Sequence, residues 1–180
     1  TDYGKVVLEK ERFIPHDPTG YLDEIKGVSN KLVDDTTIAY VEESLRCFTT
    51  GCNMASVLLL GVASERVFLN LCQVVSPTIT NPPEKTKFDG LSQVKPRHRW
   101  LVRKYENLPK QVKRDSLPES LDMTLISLYE MIRCQRNDLG HPRKNPPDIS
   151  REQAFMFFKL LPQLVIGLEA FVSFCETNGL

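Results

Sequence analysis

Apolar residues in the first half of the chain recur every three or four positions, the spacing of one face of an α-helix. The first run begins at Asp35 and ends at Gly51. Its apolar positions are Ile38, Val41, Leu45 and Phe48. The next run begins at Asn53 and is apolar on nearly every side until Glu65. This second pattern predicts the central and most buried helix of the protein, ending before Pro77.

The second half of the chain carries three further helical patterns. A basic stretch predicts a helix over roughly Arg97–Asn107, and the next helix is expected to begin at Ser116 or Ser120. The buried face of that helix is predicted to carry Leu121, Leu125, Leu128, Tyr129 and Ile132. Ser150 followed by Gln153 predicts a capping box that starts a long apolar last helix.

The remaining segments complete the predicted architecture. Residues 76–95 contain several prolines and predict a long connection without regular structure. Residues 1–34 predict an extended arm followed by a short helix, and residues 35–180 predict one helical domain. The expected fold class is therefore all-α: an up-and-down bundle of five to six helices with a short extended N-terminal arm.

Composition excludes some classes of protein and leaves one local feature. With 180 residues, of which 41% are hydrophobic and 26% charged, the chain is neither disordered nor fibrous. Its 23 basic and 23 acidic residues cancel, so no global field draws it to nucleic acid. Residues 95–114 nevertheless carry eight basic residues against Glu106 alone, a strong local excess of positive charge.

The cysteines and histidines indicate a reduced protein without a metal site. The five cysteines are odd in number and form no C-x-x-C pair, which favours a cytoplasmic location over a disulfide scaffold. The longest uncharged run, 47–64, is interrupted by polar residues and does not predict a membrane span. Three scattered histidines lack metal-ligand spacing, so no metal and no cofactor are expected. His16 and His98 are expected to lie on the surface.

The stretch RNDLGHP, residues 136–142, follows directly on the predicted helix that begins near residue 120. Arg136 offers a charged planar fork that fits phosphate oxygens, and His141 exchanges protons near neutral pH. Such a pair can hold a phosphodiester and also deprotonate a ribose 2′-hydroxyl or protonate the leaving oxygen without a metal ion. Asn137 can orient either partner. A second interpretation stays open, because Gly140 followed by proline commonly ends a helix and cationic side chains there stabilise its dipole.

The stretch IRCQRNDLGHP at the end of a helix resembles the signature of the HEPN superfamily (higher eukaryotes and prokaryotes nucleotide-binding domains). That signature is an Arg, a following polar residue, and a His four to six positions beyond the Arg, which Arg136, Asn137 and His141 match. The upstream stretch AYVEESLRCFTTGCNMASVLLLGVASERVFLNL is similar to the first helix pair of the superfamily. There the apolar helix ends in an acidic residue, which here would be Glu65.

The resemblance implies a metal-independent endoribonuclease that acts as a toxin or a defence effector. Arg136 would stabilise the phosphate, and His141 would be the acid and base with Asn137 supporting it. Glu65 would orient one of these residues, and a cation that pairs with it would be Arg136 or Arg66. Cleavage through the 2′-hydroxyl would leave a 2′,3′-cyclic phosphate and would spare DNA.

The same resemblance carries expectations about partners. Members of the superfamily are typically homodimers in which two copies of the motif face each other across a composite cleft. An antitoxin or a larger defence assembly would be a further partner of such an effector. Many members do not catalyse a reaction, so the alternative is a helical module for dimerisation, nucleotide binding or partner-protein binding.

Bases and aromatic rings alternate in residues 95–114, a composition that suits single-stranded RNA held without strong sequence preference. The residues predicted to bind RNA are Arg97, Arg99, Arg103, Lys104 and Arg133. Trp100 and Tyr105 offer rings on which bases stack, but rings at helical spacing more often pack into the core. Arg133 suits a phosphate contact and an ordinary surface position equally well.

Overall fold

The computed structural model describes residues 18–119, 121–134, 144 and 147–180, with the backbone alone at residues 18 and 132–134. The predicted extended arm, residues 1–17, lies outside the described residues. So do the three motif residues Arg136, Asn137 and His141. The described helices therefore precede and follow this motif along the chain.

The regular structure in the described ranges is entirely helical, and these ranges contain no strand. The eight α-helices are α1 (Pro18–Val28), α2 (Asp35–Thr49), α3 (Asn53–Val75), α4 (Pro82–Asp89), α5 (Val94–Asn107), α6 (Lys110–Ser116), α7 (Leu121–Cys134) and α8 (Arg151–Asn178). A short 3₁₀-helix, Ser76–Thr78, extends the end of α3. The predicted all-α class is confirmed.

The expected count of five to six helices is not confirmed. Two short helices, α4 and α6, account for the difference from the eight in the described ranges. Helix α6 was not foreseen, and α4 lies inside the stretch predicted to be an irregular connection, so that prediction was wrong. The side chain of Asn81 accepts a hydrogen bond from the backbone N–H of Glu84 at 3.2 Å and thereby caps α4. Pro82 and Pro83 stand in the first turn, where the missing N–H groups cost no helical hydrogen bond.

Helices α2 and α3, both of them predicted, pack antiparallel on either side of a tight turn. The turn contains Gly51, whose φ of +82° lies in the left-handed region that favours glycine. Inside the interface, the buried Ser44 hydroxyl donates to the backbone carbonyl of Ser56 at 2.7 Å. At the start of α2, Asp34 accepts a hydrogen bond from the backbone N–H of Thr37 at 2.8 Å. The two helices therefore form one closely packed pair.

Helix α8 packs against α1, α3 and α7 and contributes the largest share of the core. It begins with the predicted capping box, in which Ser150 and Gln153 each bond the other's backbone N–H. Its fully buried side chains are Ala154, Phe158, Leu161, Val165, Leu168, Phe171 and Val172. The predicted long apolar helix is thus confirmed, and three other helices pack against it.

Pro162 lies inside α8, and a neighbouring helix supplies the hydrogen bond that it removes. Proline has no backbone N–H, so the carbonyl of Phe158, four residues earlier, loses its helical donor. The hydroxyl of Tyr21 on α1 donates to that carbonyl at 2.7 Å, in a site closed to solvent. Burial, together with the charge of Glu24, raises the pKa of Tyr21 well above its ordinary value, so the hydroxyl keeps its proton. Helix α1 is therefore joined to α8 by a hydrogen bond to the carbonyl that lost its helical donor to Pro162.

Replacing Tyr21 with Phe is expected to lower the free energy of unfolding by about 1–3 kcal/mol, because it leaves the Phe158 carbonyl buried without a donor. In a Pro162→Ala background the alanine N–H can donate to the same carbonyl, so the cost of Tyr21→Phe should be clearly smaller. Urea unfolding of the four proteins of this double-mutant cycle measures the coupling. Tyr40→Phe, at an exposed position, is the matched control. Equal costs in both backgrounds would contradict the assignment.

Two helical stretches, Asn53–Thr78 and Arg151–Asn178, are long and apolar enough to cross a membrane by length and composition. Inside this fold, 61% and 50% of their most apolar windows are buried. Core helices of this length pass the same test, so the pattern is weak support for a membrane span.

Candidate functional site

Three of the predicted catalytic residues, Arg136, Asn137 and His141, follow α7 along the chain. Arg133 stands in the last described turn of α7, with its side chain outside the described residues. Arg136 comes two residues after Cys134, the last described residue of this helix. Helix α7 is therefore the described element that leads to the motif along the chain.

The buried face of α7 matches the predicted apolar pattern. Leu121, Leu125, Leu128 and Met131 are buried, and α7 packs against α3, α5 and α8. Tyr129, predicted for the same face, is half-buried, and the side chain of Ile132 lies outside the described residues.

Contact between α7 and α8 is closest at a glycine. A Cβ atom placed on Gly167 would lie 2.9 Å from both Cγ2 and Oγ1 of Thr124, closer than real Cβ contacts occur. Glycine at this position therefore lets the two helix backbones approach each other. The approach holds the middle of α7 against the core helix.

His98 on α5 makes the second link to α7, and the expectation that it lies on the surface was wrong. Its side chain is buried, its Nε2 lies 2.9 Å from the backbone carbonyl oxygen of Leu125, and its ring stacks on Tyr129 at 4.5 Å between centroids. A carbonyl only accepts, so Nε2 carries the proton and donates. Because burial outweighs the carbonyl bond and the charge of Glu130, the pKa of His98 is lowered, and the imidazole is held neutral.

The stability that depends on His98 should fall as the solution becomes acidic. Unfolding releases the imidazole to its ordinary pKa of about 6.5, so the unfolded chain binds more protons between that value and the lower pKa of the folded state. The difference in unfolding free energy between wild type and His98→Gln should be fully present above about pH 7 and shrink towards about pH 5. Urea unfolding of both proteins across this range cancels the titration of all other groups. A difference that is constant, or that grows in acid, would contradict a neutral buried His98.

Glu65 is half-buried on α3, which packs against α7. Of the two cations suggested as its partner, Arg66 is bound elsewhere: its Nη2 lies 2.6 Å and its Nε 2.8 Å from Oδ2 of Asp34. Burial would raise the pKa of Asp34, but the bonds from Arg66 and Thr37 outweigh it and hold that pKa well below its ordinary value. Arg66 therefore serves the α2–α3 pair, and Arg136 remains the suggested partner of Glu65.

Side chains are described for four of the five residues predicted to bind RNA. Two of these side chains bind other residues of the protein and two are exposed. Arg97 is half-buried, donates from Nε to the carbonyl of Leu91 at 2.5 Å and lies over the ring of Phe88. Lys104 forms an ion pair with Glu84 of α4. Arg99 and Arg103 are exposed, and within the described part of the chain neither forms a salt bridge. Of the residues predicted to bind RNA, these two are therefore the ones whose charge is open to a ligand.

The two aromatic residues of the basic stretch also have different settings. Tyr105 is 8% exposed and belongs to the core, as aromatic residues at helical spacing usually do. Trp100 is half-buried, packs on Phe88 at 4.6 Å between centroids, and lines a surface groove between α4 and α5. The groove measures about 390 Å³, and its lining is Pro83, Glu84, Lys87, Trp100, Arg103, Lys104 and Asn107.

Lys87 in this groove was not among the predicted site residues. It is exposed on α4, which lies in the stretch predicted to have no regular structure. The signal was present in the stretch NPPE, residues 81–84, since Asn followed by proline and then Glu is a pattern typical of a helix start.

Comparisons with protein-family models, with curated proteins and with solved structures return no match to this chain. A function can therefore be inferred only from the chemistry of the residues and the arrangement of the helices.

Proposed function

We propose that this protein is a metal-independent endoribonuclease of the HEPN type, acting in the cytoplasm as a toxin or a defence effector on single-stranded RNA. Arg136 binds the scissile phosphate, His141 transfers the protons, and Asn137 and Glu65 orient them. The helices are proposed to follow the up-and-down bundle arrangement of that superfamily. The observation that carries the proposal is an arginine–histidine motif that follows α7 along the chain, a helix that packs against three others.

Anchoring matters because general acid–base catalysis requires side chains held within hydrogen-bonding reach of the reacting atoms. Helix α7 is joined to α8 at Gly167 and to α5 through His98, and it also packs on α3. The motif begins two residues after Cys134, the last described residue of this helix. Glu65 belongs to α3, one of the helices against which α7 packs.

The charge around α7 favours an anionic substrate. Helix α5, to which His98 links α7, exposes Arg99 and Arg103 one helical turn apart. Cations on a neighbouring helix raise the local concentration of a polyanion such as RNA, even though the whole chain has no net charge.

A homodimer is part of the proposal, and exposed apolar side chains support it. Helices α7 and α8, which touch at Gly167, expose Met123, Ile126, Met156, Leu160 and Ile166, each at least 38% accessible. Apolar side chains concentrated on two adjacent helices are typical of an interaction surface. The same observation favours the alternative function, a non-catalytic helical module that binds a second copy or a partner protein such as an antitoxin.

The test is incubation of the purified protein with single-stranded RNA in excess EDTA, beside Arg136→Ala and His141→Ala. Wild type should cleave RNA to 2′,3′-cyclic phosphate ends and leave the matching DNA intact. Each variant should lose at least about 100-fold in rate, because each removes a group that acts in the transition state.

Lys144→Ala is the matched control, since it removes an exposed cation close to the motif along the chain. It should cleave at close to the wild-type rate. Intact RNA in the wild-type reaction, together with a His141→Ala protein that is only about 1 kcal/mol less stable, would contradict the enzyme. That outcome would favour the helical binding module.

A further inference from the structure

The groove between α4 and α5 is built by two contacts that cross from one helix to the other. Phe88 of α4 is buried against Trp100 of α5, and Glu84 of α4 forms an ion pair with Lys104 of α5. The apolar contact and the ion pair hold the two helices at a fixed separation. The result is a groove of about 390 Å³ between the two helices.

Positive charge in the groove exceeds what its own carboxylate neutralises. Glu84 compensates Lys104, which leaves Lys87 and Arg103, both exposed and both without a salt bridge to any described acidic residue. Two cations on opposing helices suit one anionic group placed between them, and the planar guanidinium of Arg103 fits phosphate oxygens in particular. The groove therefore favours an anionic ligand.

The other walls add a flat apolar surface and an amide. Trp100 is half-buried, since Phe88 packs on it and the Nζ of Lys104 lies over its ring at 5.3 Å from the centroid. The exposed part of the indole lines the groove, while Asn107 brings a side chain that both donates and accepts hydrogen bonds. A flat ring next to paired cations matches a nucleobase joined to a phosphate. An acidic peptide would satisfy the cations, but its carboxylates bring no aromatic ring for the indole, whereas every nucleotide joins a ring to its phosphate.

We propose that this groove binds one nucleotide of a single-stranded RNA, with the base against Trp100 and the phosphate between Arg103 and Lys87. The identity of the ligand as RNA rests on the proposed function. Arg99 lies one turn before Arg103 on the same face of α5, where it meets the phosphate of a neighbouring nucleotide. The groove is thus a binding subsite on α4 and α5, built from residues other than those of the catalytic motif.

Trp100 is the single tryptophan of the chain, so its fluorescence reports on this groove without a label. The probe is a 2′-O-methyl oligouridylate of eight nucleotides, which cannot be cleaved through the 2′-position. Titration should quench the fluorescence in a saturable manner, and the dissociation constant should rise with salt. Arg103→Gln and Lys87→Gln should each weaken binding by about tenfold, because each removes a charged phosphate contact.

Lys26→Gln is the matched control: it removes an exposed cation of α1, a helix that does not line the groove, and it should change binding less than about twofold. Absent quenching, or equal weakening by all three substitutions, would overturn the subsite. Uridine monophosphate binding as tightly as the oligonucleotide would overturn the assignment to RNA, as would tighter binding of hexaglutamate. Since the probe is not cleaved, its binding stands or fails separately from the ribonuclease activity, and failed cleavage with intact quenching would remove the enzyme but keep the subsite.

Discussion

Coverage of the apolar last helix is the constraint on which the rest of the structure depends. Helix α8 buries side chains against α1, α3 and α7 along most of its length, which requires partners on several sides. Pro162 leaves one carbonyl of α8 without a donor, and Tyr21 of α1 supplies it. Gly167 removes a side chain where α7 comes closest. Pro162, which lacks an N–H, and Gly167, which lacks a side chain, are thus matched by Tyr21 of α1 and Thr124 of α7.

The position of α7 follows from this packing and links the core to the candidate chemistry. One side of α7 lies on α8 at Thr124, and another receives the imidazole of His98 from α5. Because α5 also exposes the cations and forms the groove with α4, the proposed RNA-binding surface is connected to the motif helix by a buried side chain rather than by exposed loops. A substrate held on α5 is therefore held on an element that contacts the helix leading to Arg136.

Hydrophobic periodicity predicted the elements that bury one strong face. Helices α2, α3, α7 and α8 carry apolar side chains at helical spacing, and capping residues such as Ser150 marked where one of them begins. Helix α4 escaped because it buries a single side chain, Phe88, so its sequence has almost no apolar periodicity. The prediction for His98 was wrong for a related reason, since a polar residue in a basic stretch gives no sign that a carbonyl on another helix accepts a hydrogen bond from its ring N–H.

The candidate site was predictable to a different degree in its two parts. The pairing of Arg136 with His141 is a local property of the sequence, and its chemistry can be argued without a fold. The groove depends on Lys87 and Arg103, which stand sixteen positions apart and line the same groove because Phe88 packs on Trp100 and Glu84 pairs with Lys104. No local pattern contains that contact, so only the packing of α4 on α5 made the groove visible.

The most direct test of the arrangement is the stability of Gly167→Ala, measured by urea unfolding beside Gly27→Ala. Alanine has the higher helix propensity, and at Gly27 of α1 a Cβ would meet no atom within 4 Å, so that control should be unchanged or up to about 1 kcal/mol more stable. At Gly167 the added Cβ would displace Thr124, and the protein should lose about 1–3 kcal/mol. A Gly167→Ala protein at least as stable as wild type would contradict the close approach of α7 to α8, and with it the anchored position of α7.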